Sequence, residues 1–280
     1  MTTDEGVDLR RAQWRGVGAI AERESLRVLR LWKQTLVPQI LVAVLFIVVF
    51  GLALGDRIDT IVGVPYEQFI VPGLVLMGVG TAAFANNGTS IYQARGDGFI
   101  EDPVSSPMTP LQLLVGYLSG GMLRAAIIGV GIVAAARAFV AFPITNAALL
   151  VLVLVLAGLA FTALGTVVGL YARGWEHQNF VGNLVIQPLV FLGGVFYAVD
   201  DLPEPWQTIS RFDPIFYMVD ATREAMLGAS EVSLLLSLGV TFLLAALMLG
   251  RRLLRRLPRP ARSRPRRRPR LNRSARAHTT

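Results

Sequence analysis

LVPQILVAVLFIVVFGLAL, residues Leu36 to Leu54, carries no ionisable side chain over 19 positions. At a rise of about 1.5 Å per residue, a helix of about 20 apolar residues matches a hydrocarbon layer about 30 Å thick, whereas a helix in a soluble core keeps a charged face. Similar stretches run from about Phe69 to Asn87, Leu113 to Val140, Asn146 to Tyr171, Phe180 to Ala198 and Val232 to Gly250. Across the chain, 53% of residues are hydrophobic and only 16% charged. This composition excludes an ordinary soluble domain and predicts an all-α membrane protein with six transmembrane helices.

Charge placement gives the orientation. Of the 27 basic residues, seven precede Leu36 and thirteen follow Gly250, so 20 lie at the two ends. Basic residues stay on the cytoplasmic side, so both termini are expected inside and the number of spans must be even. The chain then divides into a cytoplasmic N-terminal part (1–35), a membrane domain (36–250) and a cytoplasmic tail (251–280). The tail is too rich in arginine and proline to bury a core and is expected to be disordered, an anchor attracted to anionic lipid. Nucleic-acid binding is the alternative, but no aromatic residue alternates with its arginines.

Residues 199–231 contain the apolar run Ile215 to Val219, which invites a seventh span. Asp213 suits an N-cap, Pro214 the first helical position and Gly228 the position just past a helix end. A helix so bounded reaches only about 21 Å. It also carries Asp220, Arg223 and Glu224. We therefore expect a helical hairpin on the outer face that re-enters the membrane without crossing it. Asp200, Asp201 and Glu204 within it are expected to be solvated or to serve a gate.

Ahead of the first span, Trp14, Val17, Ala21, Ser25, Val28 and Trp32 recur at three- and four-residue steps with charges around them, Glu24 and Arg27 included. This predicts an amphipathic helix on the membrane surface; a soluble helix packing on a partner is the alternative.

Chemistry has few candidates. There is no cysteine, and the two histidines are His177, beside Glu176, and His278 in the tail, so no metal-ligand set is legible. The lone lysine, Lys33, follows bulky residues rather than the glycine-rich backbone of a phosphate-binding loop, so a nucleotide site of that kind is not expected here. Arg124 lies about 20 Å along its helix, where a charge is costly. It is expected either to face the bundle interior or a wet cavity, or to pair with a carbonyl or lipid phosphate. The polar stretch Tyr92 to Pro110 mixes Phe99 and Ile100 with Arg95, Asp97, Glu101 and Asp102 on the cytoplasmic side. It is legible as an interfacial loop or as a grip for a soluble partner.

Five blocks in order resemble the permeases of ABC-2 type transporters: LWKQTLVP (31–38), QFIVPG (68–73), IEDPVSSP (100–107), GYLSGGMLR (116–124) and LGGVFYAVDDLPEPW (192–206). Asp213-Pro214 with Asp220, Arg223 and Gly228 resembles that family's closing signature before its last span. The resemblance implies a bacterial inner-membrane half-transporter in which two permease copies, as a homodimer, pair with two ATP-binding subunits. ATP and magnesium would sit on those partners, and this chain would hold no cofactor and catalyse no reaction of its own. It also implies that Arg95, Gly98, Phe99, Ile100, Glu101 and Asp102 form the coupling segment docked on the ATPase. Asp102-Pro103 departs from the apolar pair usual there, and proline favours an end at Asp102. Trp206, Asp213, Pro214, Tyr217, Asp220 and Arg223 would shape an outer gate. The cargo implied is a drug-like, glycan or lipid-linked amphiphile. An ATP-independent channel or secondary transporter is the competing class, disfavoured by the lack of several titratable groups on spans and of an internal repeat.

Overall fold

The computed structural model describes residues 4–55, 58, 60–96 and 108–250. The coupling positions Gly98 to Asp102 and the arginine-rich tail lie outside these residues. The described chain is almost wholly helical: α1 (Asp4–Arg30), α2 (Trp32–Gly51), α3 (Tyr66–Gly96), α4 (Pro110–Arg137), α5 (Ala147–Tyr171), α6 (175–192), α7 (Trp206–Phe212), α8 (Pro214–Leu227) and α9 (Leu234–Leu249). A two-residue hairpin pairs Thr60–Ile61 with Val64–Pro65 between α2 and α3.

Among the described residues four helices, α2 to α5, are long and apolar enough to cross a membrane. The span expected at 180–198 is a run of three six-residue pieces, with a π turn at Val181–Ile186 between α-helical ends, and it stops at Gly193 and Gly194. The span expected at 232–250 is the 16-residue α9. α2 runs out through a π turn as well, at Ile47–Leu52.

Local chemistry explains the ends. The side chain of Thr109 accepts from Gln112 N at 3.3 Å while Gln112 Oε1 accepts from Thr109 N at 2.8 Å, a reciprocal cap with Pro110 in the first turn. This starts α4 three residues before the Leu113 expected from hydropathy. Asn146 caps α5 through Leu149 N at 3.0 Å. α8 has the expected ends, with Asp213 as N-cap, Pro214 next and Gly228 left-handed at φ 70°.

α3 is the axis of the bundle. In its most apolar stretch 78% of residues are buried, against 22% for α2, so α2 is the helix left to face lipid or another subunit. α3 packs most closely on α5, because Gly165 and Gly169 let the two backbones meet: a Cβ on Gly165 would stand 2.3 Å from Phe84 O. Small residues four apart are a usual device for close helix approach in lipid, where apolar burial alone gives no drive. α4 packs on both α3 and α5, α1 runs along α4, and α8 packs on α9, α3 and α5. Phe46, Phe50, Phe191 and Phe196 join α2 to the end of α6 with ring centroids 5.0 to 6.4 Å apart.

Candidate functional site

Two buried polar clusters and one cavity stand out against this apolar bundle. The first cluster is built by α8 and the turns around it. Arg223 is fully buried; its Nη1 donates to Glu231 Oε1 at 3.0 Å, its Nη2 to Gly194 O at 2.7 Å, and its guanidinium lies 3.8 Å from the centre of the Phe69 ring. Glu231 Oε2 accepts from Val199 N at 2.6 Å and Asp200 N at 3.3 Å. Asp220, one turn before Arg223, accepts from Glu231 N at 2.7 Å and Ser237 Oγ at 2.9 Å. Buried charge is tolerated only when paired and hydrogen-bonded, and here two acids and one base make seven contacts that reach α3, α9 and the turns around α8.

Asp213 adds a pH-sensitive joint. Its Oδ1 caps α8 through Ile215 N at 2.9 Å, Oδ2 is buried with no hydrogen-bond partner among the described residues, and burial pushes the carboxyl up to about 6. A carboxyl raised in the folded state binds its proton better there than when unfolded, so its contribution is full below its ordinary value of 3.8 and is lost as pH rises through about 6. The swing is about 3 kcal/mol. Thermal unfolding in detergent at pH 5 and pH 7.5 should show a stability loss toward pH 7.5 that shrinks in Asp213→Asn, whose amide oxygen still caps the helix. An equal loss in both proteins would refute this.

The second cluster lies at the other end of α3. Glu24 on α1 is buried and accepts from Arg27 Nη2 at 2.8 Å, Arg27 Nε at 3.2 Å, Arg23 Nη2 at 3.0 Å and Ser90 Oγ at 2.8 Å. Arg27 also donates to Asn86 O and Oδ1, at 3.3 and 3.2 Å. The amphipathic stripe is therefore rotated from the one expected. Val17, Ile20, Glu24 and Val28 face inward, while Trp14 and Trp32 are 61% and 48% exposed. The reason is shape: Ile20 and Glu24 seat over Gly116 and Gly120 of α4, where a Cβ would meet them at 3.0 and 2.7 Å.

Between the clusters, α2, α3, α4 and α6 line an open-sided cavity of about 410 Å³. Arg124, Gln39, Thr81 and Gln187 line one part of it and Phe46 and Leu74 another. Gln39 Nε2 donates to Thr81 Oγ1 at 2.6 Å and Gly78 O at 3.1 Å. Arg124 Nη2 donates to Thr35 O at 3.2 Å, and its buried Nε has no partner among the described residues. Both expectations for Arg124 thus meet in one place, a carbonyl bond and a cavity wall. Among the described residues no group of three or more His, Asp or Glu is placed to hold a metal ion.

The pattern that defines ABC-2 type transporters matches residues 15–227, from α1 to the last residue of α8. The chain belongs to the ABC-2 type transporter family. It is 36% identical over 227 residues to the inner membrane transport permease YadH of Escherichia coli strain K12, covering 81% of this chain and 89% of that protein. Nodulation protein J of Rhizobium leguminosarum bv. trifolii is 32% identical over 238 residues, covering 80% and 90%. Nodulation protein J of Rhizobium meliloti strain 1021 is 30% identical over 237 residues, covering 80% and 90%. As an ABC-2 protein it is a multi-pass membrane permease, of a family that works with an ATP-binding subunit.

Within this ABC-2 chain, the residues singled out from sequence fall into distinct settings. Asp220 and Arg223 meet in one cluster, with Asp213 and Pro214 opening the helix that carries them. Tyr217 points away and donates to Arg211 O at 2.9 Å, tying α8 to α7, while Trp206 is 54% exposed at the start of α7. Asp200 pairs with Arg211 at 2.8 Å on the surface, as a solvated acid would. Of the coupling positions only Arg95 is described: it lies in the last turn of α3 and donates to Gly169 O at 3.1 Å and to Leu170 O, carbonyls in the last turn of α5. A cation there satisfies carbonyls that the helix leaves unpaired. Two functional candidates escaped the sequence reading. Glu231 had no mark beyond its type, and Glu24 was placed on the polar face because charge, not the glycine notch beneath it, set the expectation.

Proposed function

We propose that this chain is the membrane-spanning permease subunit of an ATP-driven exporter that moves an amphiphile outward from the cytoplasm or inner leaflet, with ATP hydrolysed by a separate subunit. The observation that carries the reading is the ABC-2 match over residues 15–227. In this reading α6 and α9 with their flanks complete six spans, both termini are cytoplasmic, and two copies of the permease join two ATP-binding subunits. α7 and α8 form the re-entrant outer hairpin, and exposed Trp14 and Trp32 rest in the headgroup layer. Arg95 with Gly98, Phe99, Ile100, Glu101 and Asp102 forms the coupling segment.

The purified chain should hydrolyse no ATP, and the complex with its copurifying ATP-binding subunit should do so. Hydrolysis by the chain alone, or transport that follows a proton gradient without ATP, would overturn the proposal. Replacing Phe99 or Glu101 with alanine should weaken copurification of that subunit roughly tenfold or more, the loss usual for an interface anchor. Unchanged association and turnover in both variants would remove the docking role.

A further inference from the structure

We propose that the cavity between α2, α3, α4 and α6 binds a single-chain amphiphile with an anionic head group, such as a phosphate or carboxylate, with Arg124 as its counter-charge. The other cations of the interior are matched: Arg223 by Glu231, and Arg27 by Glu24. Arg124 forms no ion pair among the described residues and has one bond, to a backbone carbonyl, with Nε unpartnered. The like charge of Arg27 acts on it as well. A part-buried cation without an ion pair, level with Thr35 at the start of α2, is costly, and an incoming anion relieves that cost in a way a neutral head group cannot.

The cavity also has two ends. Along α2 the lining runs from Gln34, Thr35 and Gln39 to Val42, Ala43 and Phe46, and on α4 from Arg124 to Ile132. Polar groups therefore collect at the guanidinium end of a lining about 18 Å long along α2, and Val42 to Phe46 make its apolar end over about 6 Å. A volume of about 410 Å³ is that of a small-molecule site and holds a head group with one chain. The proposal rests on the exporter reading only for calling the ligand a substrate. Binding is a property of this chain, so failure of ATP coupling and failure of binding are separable.

The test is equilibrium binding of radiolabelled dodecyl phosphate to the full chain in nanodiscs of neutral lipid, competed by dodecyl maltoside and dodecyltrimethylammonium. The wild type and Arg124→Lys should prefer dodecyl phosphate to both competitors at least tenfold, and Arg124→Gln should lose that preference while still binding chains weakly. Val42→Trp, at a half-exposed position lining the apolar end, should weaken every chain alike and keeps the test independent of how Arg124→Gln folds. Equal affinity for anionic and neutral heads in the wild type, or an anion preference that survives in Arg124→Gln, overturns the proposal. So does displacement of dodecyl phosphate when phosphatidylglycerol is added to the nanodisc, which would assign the cavity to bilayer lipid instead.

Discussion

Replacing Glu231 with alanine is expected to destabilise the protein by about 3–5 kcal/mol, because it leaves the fully buried Arg223 guanidinium without its counter-charge. The loss is not that of one hydrogen bond. Glu231 bridges Arg223 at 3.0 Å and the backbone of Val199 and Asp200, so one truncation frees a buried cation and the N–H of buried Val199 together. The Phe69 ring beneath the guanidinium can hold back only part of this, since a cation over an aromatic face gains about 2 kcal/mol when desolvated. Thermal unfolding in detergent reads the effect. Arg223→Met combined with Glu231→Leu should recover much of the stability, because an apolar pair of similar volume carries no desolvation cost. If Glu231→Ala unfolds at the wild-type temperature, the cluster is not what holds α8 in place.

Gly165→Ala should be comparably damaging for a different reason. The new Cβ would stand 2.3 Å from the carbonyl oxygen of Phe84 and 3.1 Å from the amide nitrogen of Gly88, both backbone atoms that cannot rotate aside. α3 and α5 must then move apart along their tightest contact, at a cost of at least about 1–3 kcal/mol. Gly239→Ala is the matched control. Nothing lies within 4 Å of its added Cβ on α9, and helix propensity there favours alanine by about 1 kcal/mol. Unfolding temperatures that move together in the two variants would show that the α3–α5 contact is not specially close.

The long helices were legible because bilayer thickness sets a length that soluble folds do not impose, and α8 because its cap, proline and terminal glycine are local signals. What hydropathy could not place is whatever depends on a neighbour. α4 starts at Pro110 because of a side-chain cap, not where apolar residues begin. Glu24 is buried because Gly120 makes room for it, and glycine has no hydropathy to announce a notch. Glu231 pairs with Arg223 across the turn between α8 and α9, a geometry no spacing rule describes. α6 holds Glu176, His177 and Gln178 in its first turn and a π turn in the middle, so its helical extent and its apolar extent differ.

Both buried clusters grip the same rod. Asn86 and Ser90 hold one end of α3 to α1, and Phe69, about 25 Å away along the axis, carries the Arg223 cluster at the other. A hydrogen-bonded helix neither stretches nor shortens, so a tilt applied at α1 has to reappear as a sideways shift beneath α8 unless it is absorbed in between. Pro72, three residues from Phe69, is where such a rod bends. α3 is in that sense a lever with its joint near the Arg223 load, and the stiffness of the stretch from Gly73 to Ser90 sets how much of any push at one cluster arrives at the other.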